Sequence, residues 1–173
     1  TAGRAGEAEQ MDKAEWTAYR ERIKETAKIG VDHGLTVGIH AHAAGFMDFE
    51  PELERLLDEV DDSILKICFD TGHHSYAGFD PVGFMKRHMY RISYMHFKDI
   101  DPMVKADVVA KRTDFYTACG RGIFCNLGQG DVDFSVVRQV LIDAGFDGWC
   151  TVEQDCDPSM PGTPMEDAKA NRE

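Results

Sequence analysis

Ligand-type side chains recur in this chain at one kind of place, the point where a short apolar run stops. Ile64-Leu65-Lys66-Ile67-Cys68-Phe69 ends in Asp70-Thr71-Gly72-His73, and Ile92-Ser93-Tyr94-Met95 ends in His96-Phe97-Lys98-Asp99. Trp149-Cys150-Thr151-Val152 ends in Glu153, and Val37-Gly38-Ile39 ends in His40-Ala41-His42. His40, Asp70, His96 and Glu153, brought together, offer a divalent ion two imidazoles and two carboxylates. They leave positions open for a bidentate substrate, and such mixed ligation suits Mn²⁺, Co²⁺, Fe²⁺ or Zn²⁺. Taken singly, a histidine or aspartate near a strand end has an ordinary reading as a surface group, turn former or helix cap. Four of them in corresponding places of successive units point to a site.

The neighbours of these four suit proton transfer. His73, three residues beyond Asp70, faces the same mouth and could serve a substrate hydroxyl, whereas His74 reads as solvent-facing. Lys98 follows His96 by two positions and shares its face in an extended segment. It could polarise a carbonyl oxygen or steady a developing enolate; the competing reading is a surface salt bridge with Asp99. Glu153, His42 and His73 are the candidate bases, with Glu153, His73, Lys98 and His42 together forming the candidate catalytic set. Gly128-Gln129-Gly130, just before a helical stretch, reads equally as an anion cradle or a tight turn. His33 and His88 fall on helices and carry no chemistry. No G-x-S-x-G elbow, P-loop or dinucleotide fingerprint is present.

The apolar runs that must position these groups are short and β-rich, and helical stretches separate them, the pattern of buried parallel strands. In a parallel α/β sheet or barrel all strand C-termini open on one side, so the ligands converge on one cleft. Trp16, Tyr19, Ile23 and Ala27 place one apolar face on a helix from about Lys13 to Gly30, before a first strand over Leu35 to Ile39. Pro51 opens a second helix with Leu53, Leu56, Leu57 and Val60 as its buried stripe, and Ile64 to Phe69 forms the second strand. Asp80-Pro81 starts another helix, followed by a third strand from Arg91 to Phe97. The longer stretch from Asp101 to Leu127 reads as a partly helical, function-bearing loop. Asp131 to Phe134 caps a helix that Gly145 ends before the last strand, Gly148 to Val152, and a short helix starts at Pro164. Residues 1 to 10 read as a frayed lead-in. Four parallel strands do not close a barrel. They read as half of an eight-stranded one, a single domain over residues 1 to 173 whose open edges require a complementary half or a homo-oligomer.

Composition narrows the classes. The formal net charge of −12 disfavours nucleic acid and anionic membranes as partners, and 43% hydrophobic residues suit a soluble domain. No apolar stretch reaches the roughly 20 residues that span a bilayer. Five cysteines without a C-x-x-C pair read as reduced thiols of a cytoplasmic protein, with Cys68 and Cys150 as small core residues.

Several motifs occur together in a familiar order: His40-Ala41-His42, Asp70-Thr71-Gly72-His73, Tyr76-Ala77-Gly78 with Asp80, His96-Phe97-Lys98-Asp99 and Gly122-Ile123-Phe124. Gly128 to Phe134, Gly145 to Trp149 and Val152-Glu153-Gln154-Asp155 follow. From about Trp16 onward the chain resembles the C-terminal half of the myo-inosose-2 dehydratases, members of the xylose-isomerase-like TIM-barrel superfamily. The resemblance implies a (β/α)8 barrel, a divalent metal (usually Mn²⁺ or Co²⁺, with Fe²⁺, Zn²⁺ and Mg²⁺ as alternatives) and metal positions at His40, Asp70, His96 and Glu153. It implies dehydration of a cyclic polyol ketone, such as 2-keto-myo-inositol, to a dione. The chain departs from the pattern at Ala43-Ala44-Gly45, Asn126 and Gln129. Epimerases of the superfamily usually carry glutamate at the position of His40, and its replacement favours elimination over two-base epimerisation. The rival readings are a metal-dependent sugar isomerase or epimerase, a lyase acting on 3-keto-glycosides, and a non-catalytic half-barrel.

Overall fold

The computed structural model describes residues 11–43, 45, 47, 49–157, 159, 162 and 164–172; the lead-in read over residues 1 to 10, and Ala44, lie outside these. Helix α1 (Lys13–Asp32) starts from a capping box in which Asp12 accepts from the Ala14 and Glu15 amides and Glu15 accepts from the Asp12 amide. The chain continues through β1 (Gly38–His40), α2 (Glu50–Glu59), β2 (Lys66–Asp70), α3 (Thr71–Tyr76) and α4 (Pro81–His88). A 3-10 turn (Met89–Arg91) leads to β3 (Ile92–Phe97), β4 (Asp99–Ile100), α5 (Pro102–Ala110) and α6 (Phe115–Cys119). Last come β5 (Phe124–Cys125), α7 (Phe134–Asp143), β6 (Trp149–Val152) and α8 (Pro164–Ala170).

β1, β2, β3 and β6 form one parallel sheet in that order. β1 starts later than Leu35 because the Leu35 amide turns back to donate to the Gly30 carbonyl at the end of α1, leaving its side chain exposed. One face of the sheet is covered by helices. Ile67, Phe69 and Met95 pack there with Leu53 and Leu56 of α2, Phe84 and Met85 of α4, and Val137 and Val140 of α7. The buried Arg91 guanidinium ties this layer to the sheet by donating to the carbonyls of Leu57, Val60 and Leu65.

The opposite face is open, and Gly38, Cys68, Ser93, Tyr94 and Trp149 line a groove along it. This corrects the expectation that Cys68 and Cys150 are core residues. Cys68 alternates with buried Ile67 and Phe69, so it points to the uncovered face and is only half-buried. Cys150 lies opposite Met95 on the helix side, but at β6 the helical layer has ended and the thiol is exposed.

The segment after β3 is more organised than a loop. β4 and β5 form a two-stranded antiparallel ribbon, which α5 and α6 cover with a small core of Ile100, Val108, Phe115, Ala118, Ile123 and Phe124. This unit stands beside the strand C-termini and supplies an aromatic wall there.

Candidate active site

His40 and Asp70 are the last residues of β1 and β2, His96 is next to last in β3, and Glu153 directly follows β6. The parallel register sets Asp70 beside His96. One ligand atom from each of the four lies within 4.8 Å of all the others. Asp70 Oδ2 is 3.6 Å from His40 Nε2 and 3.5 Å from His96 Nδ1, and His96 Nδ1 is 2.7 Å from Glu153 Oε2.

The other oxygen of Asp70 is committed to local structure. Oδ1 accepts from the His73 amide at 2.8 Å and caps α3, which aims Oδ2 at the cluster. His40 Nε2, Asp70 Oδ2, His96 Nδ1 and Glu153 Oε2 are all buried and have no hydrogen-bond partner among the described residues. Buried polar atoms are nearly always paired. Four buried ligand atoms that face one another without a hydrogen bond, two oxygens and two nitrogens, fit a divalent cation. The electrostatics agree. Burial pushes the Asp70 carboxyl up, but His40 and His96, and then His73 and Lys98, outweigh it and hold Asp70 well below the usual range. The Asp70 carboxylate in turn raises His96, against its partial burial and with help from Glu153.

Behind this cluster lies Lys98, fully buried. Its Nζ is 3.0 Å from His73 Nε2, 3.1 Å from Asp155 Oδ2, 3.4 Å from Glu153 Oε2 and 3.5 Å from Asp70 Oδ2, and it sits 4.9 Å from the centre of the Phe124 ring. Burial would lower its pKa, but Asp70, Asp155 and Glu153 more than compensate and keep it raised, so Lys98 is an ammonium. The stem reaches this position because residue 72 is glycine: a Cβ there would stand 2.5 Å from Lys98 Cγ. Burial first, and the nearby cation of Lys98, hold His73 down at about 2, so its ring is neutral. A neutral ring that accepts from the ammonium at Nε2 carries its proton on Nδ1. The longer 3.4 Å approach of the Ala43 amide to Nδ1 is therefore the weaker claim on that atom. His42 stands at the rim, exposed, with Nδ1 2.7 Å from the Ala43 carbonyl and its ring 3.9 Å from that of His73. The carbonyl can only accept, so that bond places a proton on His42 Nδ1, and in the neutral ring Nε2 carries the lone pair.

One competing reading and one expectation about neighbouring residues are set aside. Lys98 makes no surface salt bridge with Asp99, because successive residues of an extended segment point to opposite sides. Asp99 is buried on the far side, where its Oδ2 accepts from the Gly128 and Gly130 amides (2.8 and 3.0 Å) and its Oδ1 from those of Ile100 and Val132 (2.9 and 3.0 Å). The glycine loop is thus an anion cradle, and its anion is the protein's own carboxylate. Gly128 has φ +80°, and a Cβ on Gly130 would collide with the Ile100 carbonyl and Asp99 itself. His74 does not face solvent either. It is buried between Phe69 and Phe84 with Nε2 3.0 Å from a Glu50 carboxylate that also pairs with Arg87, and burial pushes it down to about 4.

The residues that sequence reasoning passed over are Asp155 and the two rings of the added unit. Phe115 lies 5.5 Å from His42 and 5.8 Å from His73, and Phe124 lies 5.5 Å from His73, so a dry wall backs the imidazoles. Asp155 follows Glu153 by two positions, the same spacing that singled out Lys98 after His96. That rule applied once more would have found it.

A parallel β/α sheet with metal-type ligands at its strand C-termini is the arrangement of a TIM-barrel metalloprotein. The family model for the xylose isomerase-like TIM barrel matches residues 1–173, and the chain belongs to that family. An inosose dehydratase from Geobacillus kaustophilus is 32% identical over 152 residues, covering 88% of this chain and 49% of that protein. The crystal structure of the "probable 3-DHS dehydratase AsbF involved in the petrobactin synthesis" from Bacillus anthracis superposes with a TM-score of 0.71 at 25% identity, over 99% of this chain and 60% of that one. The IOLI protein, solved with a bound zinc atom, shares the fold with a TM-score of 0.68 at 15% identity, over 99% and 58%. The chain spans about half the length of the curated relatives it matches.

Proposed function

We propose that this chain carries the metal-binding and proton-transfer half of a hydro-lyase that dehydrates a cyclic polyol ketone of the inosose class to a dione. The observation that carries this reading is the convergence of four buried ligand atoms without hydrogen bonds, from His40, Asp70, His96 and Glu153. The dehydratases among its relatives support the choice of elimination.

His40, Asp70, His96 and Glu153 would hold a divalent ion, with Mn²⁺ or Co²⁺ preferred over Fe²⁺, Zn²⁺ or Mg²⁺, and that ion would supply Lewis-acid polarisation of a ketone oxygen, making the neighbouring C–H acidic. Glu153, or His42 through its free Nε2, takes that proton. The C–H electron pair becomes a carbon–carbon double bond as the β C–O bond breaks. The departing hydroxyl leaves as water with the proton from Nδ1 of His73, while His73 Nε2 takes a replacement proton from the Lys98 ammonium 3.0 Å away, and the remaining enol becomes the dione. Lys98 acts from below: it helps keep Asp70 ionised and fixes the His73 tautomer that makes Nδ1 the acid. Phe115 and Phe124 shield the buried His73 ring from water.

The open edges of β1 and β6 are completed by a second barrel half, joined to this one or contributed by another copy. No helix among the described residues is long and apolar enough to cross a membrane. The five free thiols suit a cytoplasmic location. The test is the mass of the product formed from a keto-inositol by the metal-loaded protein. A product lighter by one water is expected, and a product of unchanged mass would replace elimination with isomerisation.

A further inference from the structure

The Lys98 ammonium sits among groups that are themselves cation ligands. A second triad, His42, His73 and Asp155, has ligand atoms within 4.8 Å of one another, directly behind the first cluster. Lys98 Nζ lies 3.0 Å from His73 Nε2 and 3.1 Å from Asp155 Oδ2, and it reaches the first cluster through Glu153 Oε2 (3.4 Å) and Asp70 Oδ2 (3.5 Å). Those two oxygens are also ligand atoms of the first position, where neither has a hydrogen bond. Each therefore faces two cation positions at once, as bridging carboxylates do in two-metal sites whose ions stand about 3.5–4 Å apart.

Charge and burial point the same way. Three carboxylates, Asp70, Glu153 and Asp155, meet within 3.5 Å of one buried atom, which asks for more positive charge than one distant counter-ion supplies. Gly72 leaves room for the lysine stem, since a Cβ there would stand 2.5 Å from Lys98 Cγ. We infer that Lys98 occupies the second cation position of a two-cation centre as a built-in ammonium, so that the centre takes one divalent ion per chain and takes a second when the lysine is removed.

This inference rests on the proposed metal site, and its test separates the two. The protein, Lys98→Met and the milder, similarly sized Lys98→Gln are loaded with Mn²⁺ and desalted, and bound manganese is counted by plasma mass spectrometry. Circular dichroism confirms that each variant is folded. The expected result is one ion in the wild type and two in whichever lysine variant folds. Lys98→Gln combined with Asp155→Asn should return to one. A second readout uses Lys98→Ala: added methylammonium should refill the position and displace the second ion. One ion in the wild type and one in every folded lysine variant would overturn the inference while leaving the metal site standing. Two ions in the wild type would also overturn it. No ion in any of the proteins would bring down the site itself, and the inference with it.

Discussion

Asp70 and Asp99 are both buried carboxylates at the ends of short strands, and the protein treats them in opposite ways. Asp99 accepts four backbone N–H groups and has no need of a cation. Asp70 spends one oxygen on the α3 cap and turns the other toward two imidazoles and an ammonium without a hydrogen bond. A fully satisfied buried carboxylate holds structure together; a half-satisfied one aimed at other ligands is built to take something else. Lys98 and Asp99, adjacent in sequence, show the same division of labour across one extended segment.

The largest expected effect breaks the Asp99 side of the comparison. Asp99→Ala strands four buried amides, and Asp99→Asn turns its NH2 toward two of them, so each should cost about 4 kcal/mol of stability. Asp70→Asn, whose Oδ2 holds no hydrogen bond, should cost at least about 2 kcal/mol less. Urea unfolding of the three variants checks this, and equal losses would erase the distinction.

His74, between the aromatic rings under the Asp70 turn, adds a pH dependence to that region. In the unfolded chain it titrates near its ordinary 6.5, in the fold at about 4. Between those values the unfolded state binds more protons, so stability is full above pH 6.5 and falls as the pH drops toward 4. The contribution amounts to at most about 3 kcal/mol. Unfolding at pH 7 and pH 4.5 should show that His74→Gln loses part of this slope; an unchanged slope would remove His74 from the account.

Within the cradle, Gly130→Ala drives a Cβ into the Ile100 carbonyl and should cost about 2 kcal/mol. Gln129→Ala, exposed between the two donating glycines, should change stability by less than about 0.5 kcal/mol, because the cradle is made of backbone. Thermal melts of the pair sharpen the contrast, and a large Gln129 effect would mean that its side chain takes part.

The parallel strands and the convergence of His40, Asp70, His96 and Glu153 are legible in the sequence because both follow from local rules, apolar runs and what stands at their ends. The pairing of Asp70 with His96 is legible too, since parallel strand register makes neighbours of corresponding positions in successive units. The side that Lys98 and Asp99 each face follows from alternation, but the competing salt-bridge reading hides it. The burial of His74 is not legible, since it depends on Glu50, Phe69 and Phe84 converging from three elements. The same holds for Cys150, whose exposure is set by where the helical layer ends.

The central claim is that the four convergent atoms are a metal site, and metal content tests it most directly. Purified protein loaded with Mn²⁺ and desalted should hold about one ion per chain, and Asp70→Asn, folded by circular dichroism, should hold almost none. A wild type that retains no ion, or an Asp70→Asn variant that retains as much as the wild type, would contradict it.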